Sequence, residues 1–183
     1  MPSSIFHSPF SFAIVALGSN LGDSPRIIRD AMARLQSFSD QPILKSSLWQ
    51  SSPVDCPPGS PKFVNAVVGL VPRQAETPES LLKKLLELET EFGRSARNIV
   101  NEPRSLDLDL IAFGAETRIS ADLILPHPRA LVRRFVLQPL SEIAPDLILP
   151  GWGMTVAELL EKIKGGEEVQ KLPNERSTKI RLD

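Results

Sequence analysis

Hydrophobic and polar positions along this chain follow two different periods, and together they predict a mixed α and β fold. Segments in which apolar and polar residues alternate, or in which apolar residues run together, predict strands. These segments cover residues 11–17, 43–50, 62–71, 105–111 and 122–125. Segments with apolar residues three or four positions apart predict helices. Helices are expected from Ser24 as N-cap with Pro25 at the first helical position, from Thr77 and Pro78 to Gly93, over 134–141, and from Thr155 with Glu158 completing a capping box.

The order of these elements is β-α-β-β-α-β followed by a C-terminal part. This order fits an α+β sandwich in which helices pack on an antiparallel sheet. Residues 51–61 contain four prolines and a glycine and are predicted to form a loop. We expect helices to cover one face of the sheet and to leave the other face partly open, with room for a ligand.

The predicted strand at 105–111 carries two aspartates one residue apart. Its leucines at 106, 108 and 110 face a core, so Asp107 and Asp109 face the opposite side, with Cα atoms roughly 6.5–7 Å apart. One interpretation is an edge strand whose acids are solvated, which is common in antiparallel sheets. The other is a site for a hard cation such as Mg²⁺, which prefers carboxylate oxygens and shares them with substrate phosphates.

Arginines close to this strand favour the second interpretation. Arg104 directly precedes the strand, and Arg94 and Arg97 lie a short loop further back. Guanidinium groups bind the phosphate oxygens that a metal leaves uncovered. The alternative for each arginine is a surface ion pair with a nearby acid. That alternative is stronger for Arg97 than for Arg104.

Two aromatic residues, an amide and a histidine extend the candidate site. Phe63 and Asn65 share one face of the 62–71 strand, where a ring can stack on a planar heterocycle and an amide can read its polar edge. The alternative is a core ring and an amide bonded to a loop. His127 lies between prolines and close to arginines, which suits phosphate better than a structural cation. Phe135 fits either a second stacking ring or the core.

Composition sets the limits on domain number and partners. The 183 residues carry a formal net charge of −1 and a pI of about 6.2, so nothing indicates a nucleic-acid-binding surface. We expect one domain over 10–164, a leader over 1–9 and a flexible tail over 165–183. The longest apolar stretch, residues 12–17, is too short to span a membrane. Cys56 is the only cysteine, which fits a reducing cytoplasm.

Taken together, the motifs resemble those of the 6-hydroxymethyl-7,8-dihydropterin pyrophosphokinases of folate biosynthesis. Each motif is modest, but their order and spacing are specific. The matching pieces are Ala16-Leu17-Gly18-Ser19-Asn20-Leu21, Ser52-Pro53, Phe63-Val64-Asn65-Ala66, Glu89 with Gly93-Arg94, Pro103-Arg104-Ser105-Leu106-Asp107-Leu108-Asp109, Pro126-His127-Pro128-Arg129 with Arg133 and Phe135, and Glu142-Ile143-Ala144-Pro145. The family's fold is a ferredoxin-like sandwich, in agreement with the predicted order of elements.

The resemblance implies a role for each matching position. Asp107 and Asp109 would hold two Mg²⁺ ions that bridge the phosphates of ATP, the co-substrate. Arg94 and Arg104 would act on the phosphates and the reacting centre. The remaining implied nucleotide contacts are Glu89, Arg97, His127 and Arg133. The implied pterin contacts are Ser52, Pro53, Phe63, Asn65 and Phe135.

The implied reaction is transfer of pyrophosphate from ATP to the pterin's hydroxymethyl group, with release of AMP. A cytoplasmic monomer that acts on these two small molecules is expected, with no nucleic-acid or membrane partner.

Several positions depart from the family pattern. Ala96 replaces a second arginine, Asn101 and Glu102 stand where many relatives have a tryptophan, and Pro128 replaces an aromatic residue. The first three lie in a loop expected to close over the substrates, so they bear on rate and closure. A paralogue that binds pterin or nucleotide without turnover is one alternative. An RNA-binding ferredoxin-like domain is another, but it requires a basic face.

Overall fold

The computed structural model describes residues 12–53, 59–93, 104–163 and 168–173. Within these ranges the helices and strands alternate in the predicted order. The strands are β1 (Ala13–Ser19), β2 (Leu44–Lys45), β3 (Trp49–Ser51), β4 (Phe63–Leu70), β5 (Asp107–Phe113), β6 (Arg118–Ile119), β7 (Ile124–Leu125) and β8 (Val169–Lys171). The α-helices are α1 (Ser24–Leu35), α2 (Pro78–Glu91), α3 (Arg134–Ile143) and α4 (Val156–Lys162).

The main sheet is six-stranded and antiparallel at each of its pairings. Its strand order is β5-β1-β4-β3-β8, and the short β2 also pairs with β4. The last strand of the β-α-β-β-α-β unit, β5, therefore lies beside the first, as in a ferredoxin-like sandwich. The α+β fold predicted from the sequence is confirmed. β6 and β7 form a separate hairpin.

One face of the sheet packs against α1 and α2. Its core contains every second residue of β4 and the three leucines next to the paired aspartates, as the alternating pattern predicted. The sheet residues of this core include Val64, Ala66, Val68, Leu70, Leu106, Leu108 and Leu110, and its helix residues include Ile28, Leu35, Leu81, Leu85 and Leu88. Burial of these apolar side chains stabilises the fold and fixes which face Asp107 and Asp109 occupy.

The opposite face is more covered than the sequence suggested. Helices α3 and α4 pack on it and form a second core with Ile14, Val67 and Ile111 of the sheet. The expectation of helices on one face only is therefore wrong. The amphipathic stripe of α3, which includes Leu137 and Leu140, needs an apolar surface, and the second face supplies it.

Helix α1 begins one residue differently from the prediction. Asp23, not Ser24, is its N-cap, and the Asp23 carboxylate accepts a hydrogen bond of 3.3 Å from the backbone N–H of Arg26. The Ser24 side chain is buried and accepts a 2.8 Å bond from the Ser19 hydroxyl. The capping box predicted for α4, between Thr155 and Glu158, is confirmed.

The strand predicted over 43–50 is divided into β2 and β3. Ser46 lies at the break, where its backbone N–H donates to the carbonyl of Val67 and its hydroxyl accepts from the N–H of Val67, both at 2.9 Å. Because the hydroxyl takes one of the bonds that a strand backbone would make, the regular ladder ends there. The sequence patterns did not predict β6.

Part of the predicted tail over 165–183 is a strand. β8 pairs antiparallel with β3, with Trp49 opposite Lys171. Glu142 of α3 joins the two strands: its carboxylate accepts bonds from Lys171 Nζ at 2.6 Å, Trp49 Nε1 at 3.2 Å and the Ser47 backbone N–H at 2.7 Å. Val169–Lys171 therefore belongs to the sheet and not to a flexible tail. In the ranges described, no helix has the length and apolar character that crossing a membrane requires.

We expect Glu142→Ala to lower the free energy of unfolding by about 1–2 kcal/mol, because three donors lose their acceptor. Burial raises the pKa of the Glu142 carboxyl, but bonds from Lys171, Ser47 and Trp49 outweigh burial and hold the pKa below its ordinary value of 4.5. The contribution of Glu142 should therefore be fully present above about pH 4.5 and disappear as the pH falls through the folded-state pKa.

Urea unfolding of both proteins between pH 3 and 7 measures this effect. A difference between wild type and variant that stays constant over this range would contradict an ionised role for Glu142.

Candidate active site

The candidate site lies on the α3 side of the sheet, at the end of β1. Gly18 of β1 pairs with Asn65 of β4 on one side and with Asp107 of β5 on the other. These three residues form one row across three strands and share a face. The next row is Val67, Ala16 and Asp109. The sheet therefore places the pair of aspartates beside the predicted heterocycle-binding residues, although they are more than 40 positions apart in the sequence.

Asp107 and Asp109 are both partly buried on this face. Arg104 Nη1 lies 3.0 Å from Asp107 Oδ2, and both side chains are about three-quarters buried. The ion pair foreseen as an alternative for Arg104 is therefore present. It also holds the guanidinium next to the aspartates, where a phosphate bound by the same site would meet it.

Asn20 fixes the backbone at the start of this strand. Its side-chain Oδ1 accepts a 2.8 Å bond from the backbone N–H of Arg104, and its backbone N–H donates to the Arg104 carbonyl at 3.1 Å. The Asn20 residue is only 4% exposed. The sequence motif contained Asn20 but gave it no role, since its partner lies 84 residues away.

Glu89 approaches the site from the side of the sheet on which α2 packs. Its side chain projects from α2, the residue is 1% exposed, and Oε1 accepts a 2.7 Å bond from the backbone N–H of Leu108. Because β5 is an edge strand of the sheet in the described ranges, this bond satisfies a backbone donor that no strand of those ranges reaches. The resemblance implied a nucleotide contact for Glu89. The structure connects Glu89 to the site through the backbone between the two aspartates, and the nucleotide contact stays a prediction.

His127 lies near Asp109, and Arg133 lies near His127. The backbone N–H of His127 donates to the Ile111 carbonyl at 2.8 Å, and the imidazole Nδ1 accepts from the backbone N–H of Arg129 at 3.3 Å. Burial lowers the pKa of the imidazole, Asp109 opposes that effect, and Arg133 and Arg129 add to it. The lowered pKa favours the neutral imidazole, and because Nδ1 accepts a bond, the neutral form carries its proton on Nε2, where it can be donated to an anion.

The Asn65 amide is held in one orientation by Ser51. Asn65 Nδ2 donates to Ser51 Oγ at 2.8 Å, and a Cβ placed on Gly18 would lie 3.5 Å from Asn65 Oδ1. The carbonyl oxygen therefore faces the space above Gly18. Asn65 is 4% exposed. Its amide bonds a side chain on the neighbouring strand, and not a loop backbone as the alternative supposed. Ser51 was not predicted as a site residue, because only strand pairing reveals this contact.

The two candidate stacking rings come from different elements. Phe63 begins β4, is partly buried, and lies opposite Ser51. Phe135 lies in the first turn of α3, packs on the second core, and has the Arg133 guanidinium carbon 5.3 Å from its ring centre. Ser52 and Pro53 directly follow Ser51 and are partly buried. Arg94 and Arg97 lie outside the described residues, as do Ala96, Asn101, Glu102 and Cys56.

The donor set suits a hard cation that is shared with a ligand. Among the described residues, no group of three or more His, Cys, Asp or Glu side chains could enclose a metal. Two carboxylates on one strand face fit Mg²⁺, which keeps waters and binds through one or two carboxylates together with substrate phosphates. The absent side chain at Gly18 leaves space beside Asp107 for such a ligand.

The described residues thus form an α+β sandwich that carries two aspartates and an arginine beside Asn65 and Phe63. Residues 14–145 match the family model described as 7,8-dihydro-6-hydroxymethylpterin-pyrophosphokinase (HPPK). The chain belongs to this family.

Proteins named 2-amino-4-hydroxy-6-hydroxymethyldihydropteridine pyrophosphokinase are among its relatives. The one from Synechocystis is 39% identical over 151 residues, which cover 82% of this chain and 75% of that protein. The one from Pseudomonas aeruginosa is 38% identical over 160 residues, which cover 87% of this chain and 95% of that protein. The folic acid synthesis protein fol1 of Pneumocystis carinii is 38% identical over 149 residues, but this chain spans only 20% of its length.

Solved structures of longer proteins share the fold. A Plasmodium falciparum HPPK-DHPS structure with pteroate aligns with a TM-score of 0.66 and 12% identity over 83% of this chain and 44% of that chain. An HPPK-DHPS structure in complex with substrates gives a TM-score of 0.64 and covers 43% of that chain. At this identity the likeness supports the fold alone.

Proposed function

We propose that this chain transfers pyrophosphate from ATP to the hydroxymethyl group of 6-hydroxymethyl-7,8-dihydropterin and releases AMP. The single observation that carries the proposal is the row Asn65, Gly18 and Asp107. It joins an amide that can read a heterocycle edge to a carboxylate that can hold a metal, on one face of three adjacent strands. The 14–145 family match supports one pyrophosphokinase domain over residues 10–164.

On the metal side, Asp107 and Asp109 would hold two Mg²⁺ ions, which neutralise phosphate oxygens when bound. Arg104 reaches the same region through its 3.0 Å contact with Asp107. His127 adds an N–H donor close to Asp109, and Arg133 adds a cation close to His127. We assign Arg94 and Arg97 to the phosphates on the resemblance alone. These residues orient the triphosphate and stabilise charge that develops during transfer.

On the pterin side, Asn65 would read the polar edge of the heterocycle. The Ser51 hydroxyl fixes the amide, so no reorganisation is needed when the ligand binds. Phe63 and Phe135 would stack on the two faces of the ring, and Ser52 and Pro53 would line its rim. Exclusion of water by these rings strengthens each hydrogen bond to the pterin.

In the transfer, the hydroxymethyl oxygen forms a bond to the β-phosphorus, and the bond from that phosphorus to the oxygen of the α-phosphate breaks. The electron pair leaves on AMP, and the hydroxyl proton is released to water. No side chain in the described part of the site is assigned as a general base. Positioning and charge stabilisation supply the rate enhancement, as in phosphoryl transfer generally.

The direct test is AMP formation from ATP and 6-hydroxymethyl-7,8-dihydropterin with Mg²⁺. We expect AMP to accumulate only when the pterin is present, and control reactions omit the pterin or the metal. Calorimetric binding of both ligands without AMP release would instead support the binding paralogue suggested by Ala96 and Asn101. We further propose that the protein is a cytoplasmic monomer. Light scattering of the purified chain measures its molar mass and so tests the monomeric state.

The pterin pocket makes a selective prediction. Asn65→Ala should weaken pterin binding by about 1–3 kcal/mol because a polar edge loses its partner in a dry pocket. Phe63→Ala should cost a similar amount, about 1–3 kcal/mol, through lost stacking area. Neither change should alter the affinity for MgATP, which binds at the other end of the row. Calorimetry with pterin and with a non-hydrolysable ATP analogue measures both affinities.

Val64→Ala is the matched control. Val64 lies between Phe63 and Asn65 in β4 but faces the first core, so its truncation should lower the melting temperature without a selective pterin defect. If Phe63→Ala behaves like Val64→Ala, the ring belongs to the core and not to the pocket.

A further inference from the structure

Gly18 occupies the centre of the row that joins the two halves of the site. A Cβ built on it would lie 3.5 Å from Asn65 Oδ1, 3.9 Å from Phe63 Cδ1 and 4.0 Å from Asp107 Cβ. It is therefore within contact distance of two proposed pterin residues and of one proposed metal ligand. Among the residues of this row, Gly18 alone has no side chain.

The glycine is not required by the backbone. Its φ lies outside the left-handed region, in contrast to Gly22 and Gly93 at φ +78° and +86°. The three contacts of the added Cβ are ordinary van der Waals distances, so a methyl group fits the protein without moving a neighbour. Strand interiors also disfavour glycine relative to residues with a side chain. Neither local conformation nor packing therefore explains why this position lacks a side chain.

The side chains on one face of β1 become smaller toward the site. Ile14, Ala16 and Gly18 follow one another at alternate positions on this face, and their size decreases in that order. Ile14 contributes to the second core, Ala16 lies in the row of Asp109, and Gly18 lies in the row of Asp107. The sheet surface is therefore deepest where the pterin residues and the metal residues are adjacent.

We propose that the absent side chain of Gly18 positions the two reacting groups: its partly exposed backbone is the floor on which the hydroxymethyl oxygen meets the β-phosphorus. The inference rests on the proposed function. Strands lie about 4.8 Å apart, so Asn65 and Asp107 are separated by about 10 Å across Gly18. Ligands held at the two ends must meet between them, and reacting atoms need an approach of about 3–3.5 Å. A methyl group on the floor would raise or separate the two ligands.

The test compares Gly18→Ala with wild type in three measurements: melting temperature, the dissociation constants of MgATP analogue and pterin measured separately, and turnover at saturating substrates. We expect a melting temperature at or above that of wild type and each dissociation constant within about fivefold. Turnover should fall at least about 100-fold, because small displacements of reacting groups carry large rate penalties. Gly18→Ser, with one more atom, should be slower still.

Gly69→Ala is the matched control, because it adds the same methyl group to a buried glycine on the same face, two rows away opposite Ile14. Any change in its melting temperature should leave turnover unchanged.

Three results for Gly18→Ala would overturn the inference. They are turnover close to that of wild type, a parallel loss of stability and of both affinities, or a pterin-affinity defect that disappears at saturation. A wild-type chain that forms no AMP contradicts the proposed function itself, so the two failures are distinguished by the wild-type reaction.

Discussion

Replacement of either Asp107 or Asp109 by Asn should lower Mg²⁺-dependent turnover at least about 100-fold, because in the proposed site each carboxylate would anchor the positive charge that stabilises the transferring phosphates. Asn keeps the volume and one oxygen of Asp but removes the charge that a hard cation prefers. The loss should appear both in turnover and in the Mg²⁺ concentration needed for half-maximal rate. Coupled detection of AMP over a Mg²⁺ titration measures both quantities.

Folding should be nearly unaffected in both variants. The two carboxylates face the site and not the first core, and relief of their mutual repulsion offsets the lost pair between Asp107 and Arg104, an interaction worth about 1 kcal/mol or less when partly solvated. Asp146→Asn is the control, since Asp146 is exposed outside the site. If either site variant retains near-normal activity, its aspartate belongs to a solvated strand face, which was the alternative the sequence left open.

The position of the two aspartates was predictable because strand geometry is local. Side chains alternate between faces with a period of two, so apolar residues at 106, 108 and 110 fix the direction of the acids between them. The same rule correctly divided β4 into a core face and a site face. Wherever the face of a candidate site residue depended on this period alone, the sequence was sufficient to predict that face.

Contacts between distant segments could not be predicted in this way. Asn65 and Ser51 are 14 residues apart, Leu108 and Glu89 are 19 apart, and Arg104 and Asn20 are 84 apart. Each contact satisfies a buried polar group, but many polar residues in the chain could have served. The pairing of strands and the packing of α2 on the sheet select the partner. For the same reason the cover of α3 and α4 on the second face was missed.

The strand β8 shows a related limit. Residues 165–183 are polar and begin with two glycines, a composition that favours a tail. The structure nevertheless pairs Val169–Lys171 with the edge strand β3, and Glu142 of α3 binds Lys171. An unpaired sheet edge offers backbone partners to a segment with little hydrophobic character of its own. Composition describes the segment, but the edge decides its conformation.

Arg104→Ala should reduce turnover at least about 100-fold, because a guanidinium next to a transferring phosphate stabilises charge that develops only in the transition state. In the structure, two residues hold Arg104 in a defined position. Asn20 holds the Arg104 backbone through two hydrogen bonds, and Asp107 holds its Nη1 at 3.0 Å. If Asp107 held a metal, the guanidinium would be free to exchange this carboxylate for a phosphate oxygen. Arg104→Lys keeps the charge without the planar fork and should recover about tenfold of the loss.

The same argument predicts a graded effect of Asn20→Ala. It leaves the guanidinium in place but removes one of the two bonds that position its backbone, so turnover should fall about tenfold while the affinity for MgATP changes less. Arg118→Ala is the control, because Arg118 also pairs with carboxylates, those of Glu79 and Glu116, but lies in the β6–β7 hairpin away from the site. Steady-state kinetics, with melting temperatures measured in parallel, compare these variants. Unchanged turnover in Arg104→Ala would reduce the Arg104–Asp107 contact to a structural ion pair and would leave the phosphates to other cations.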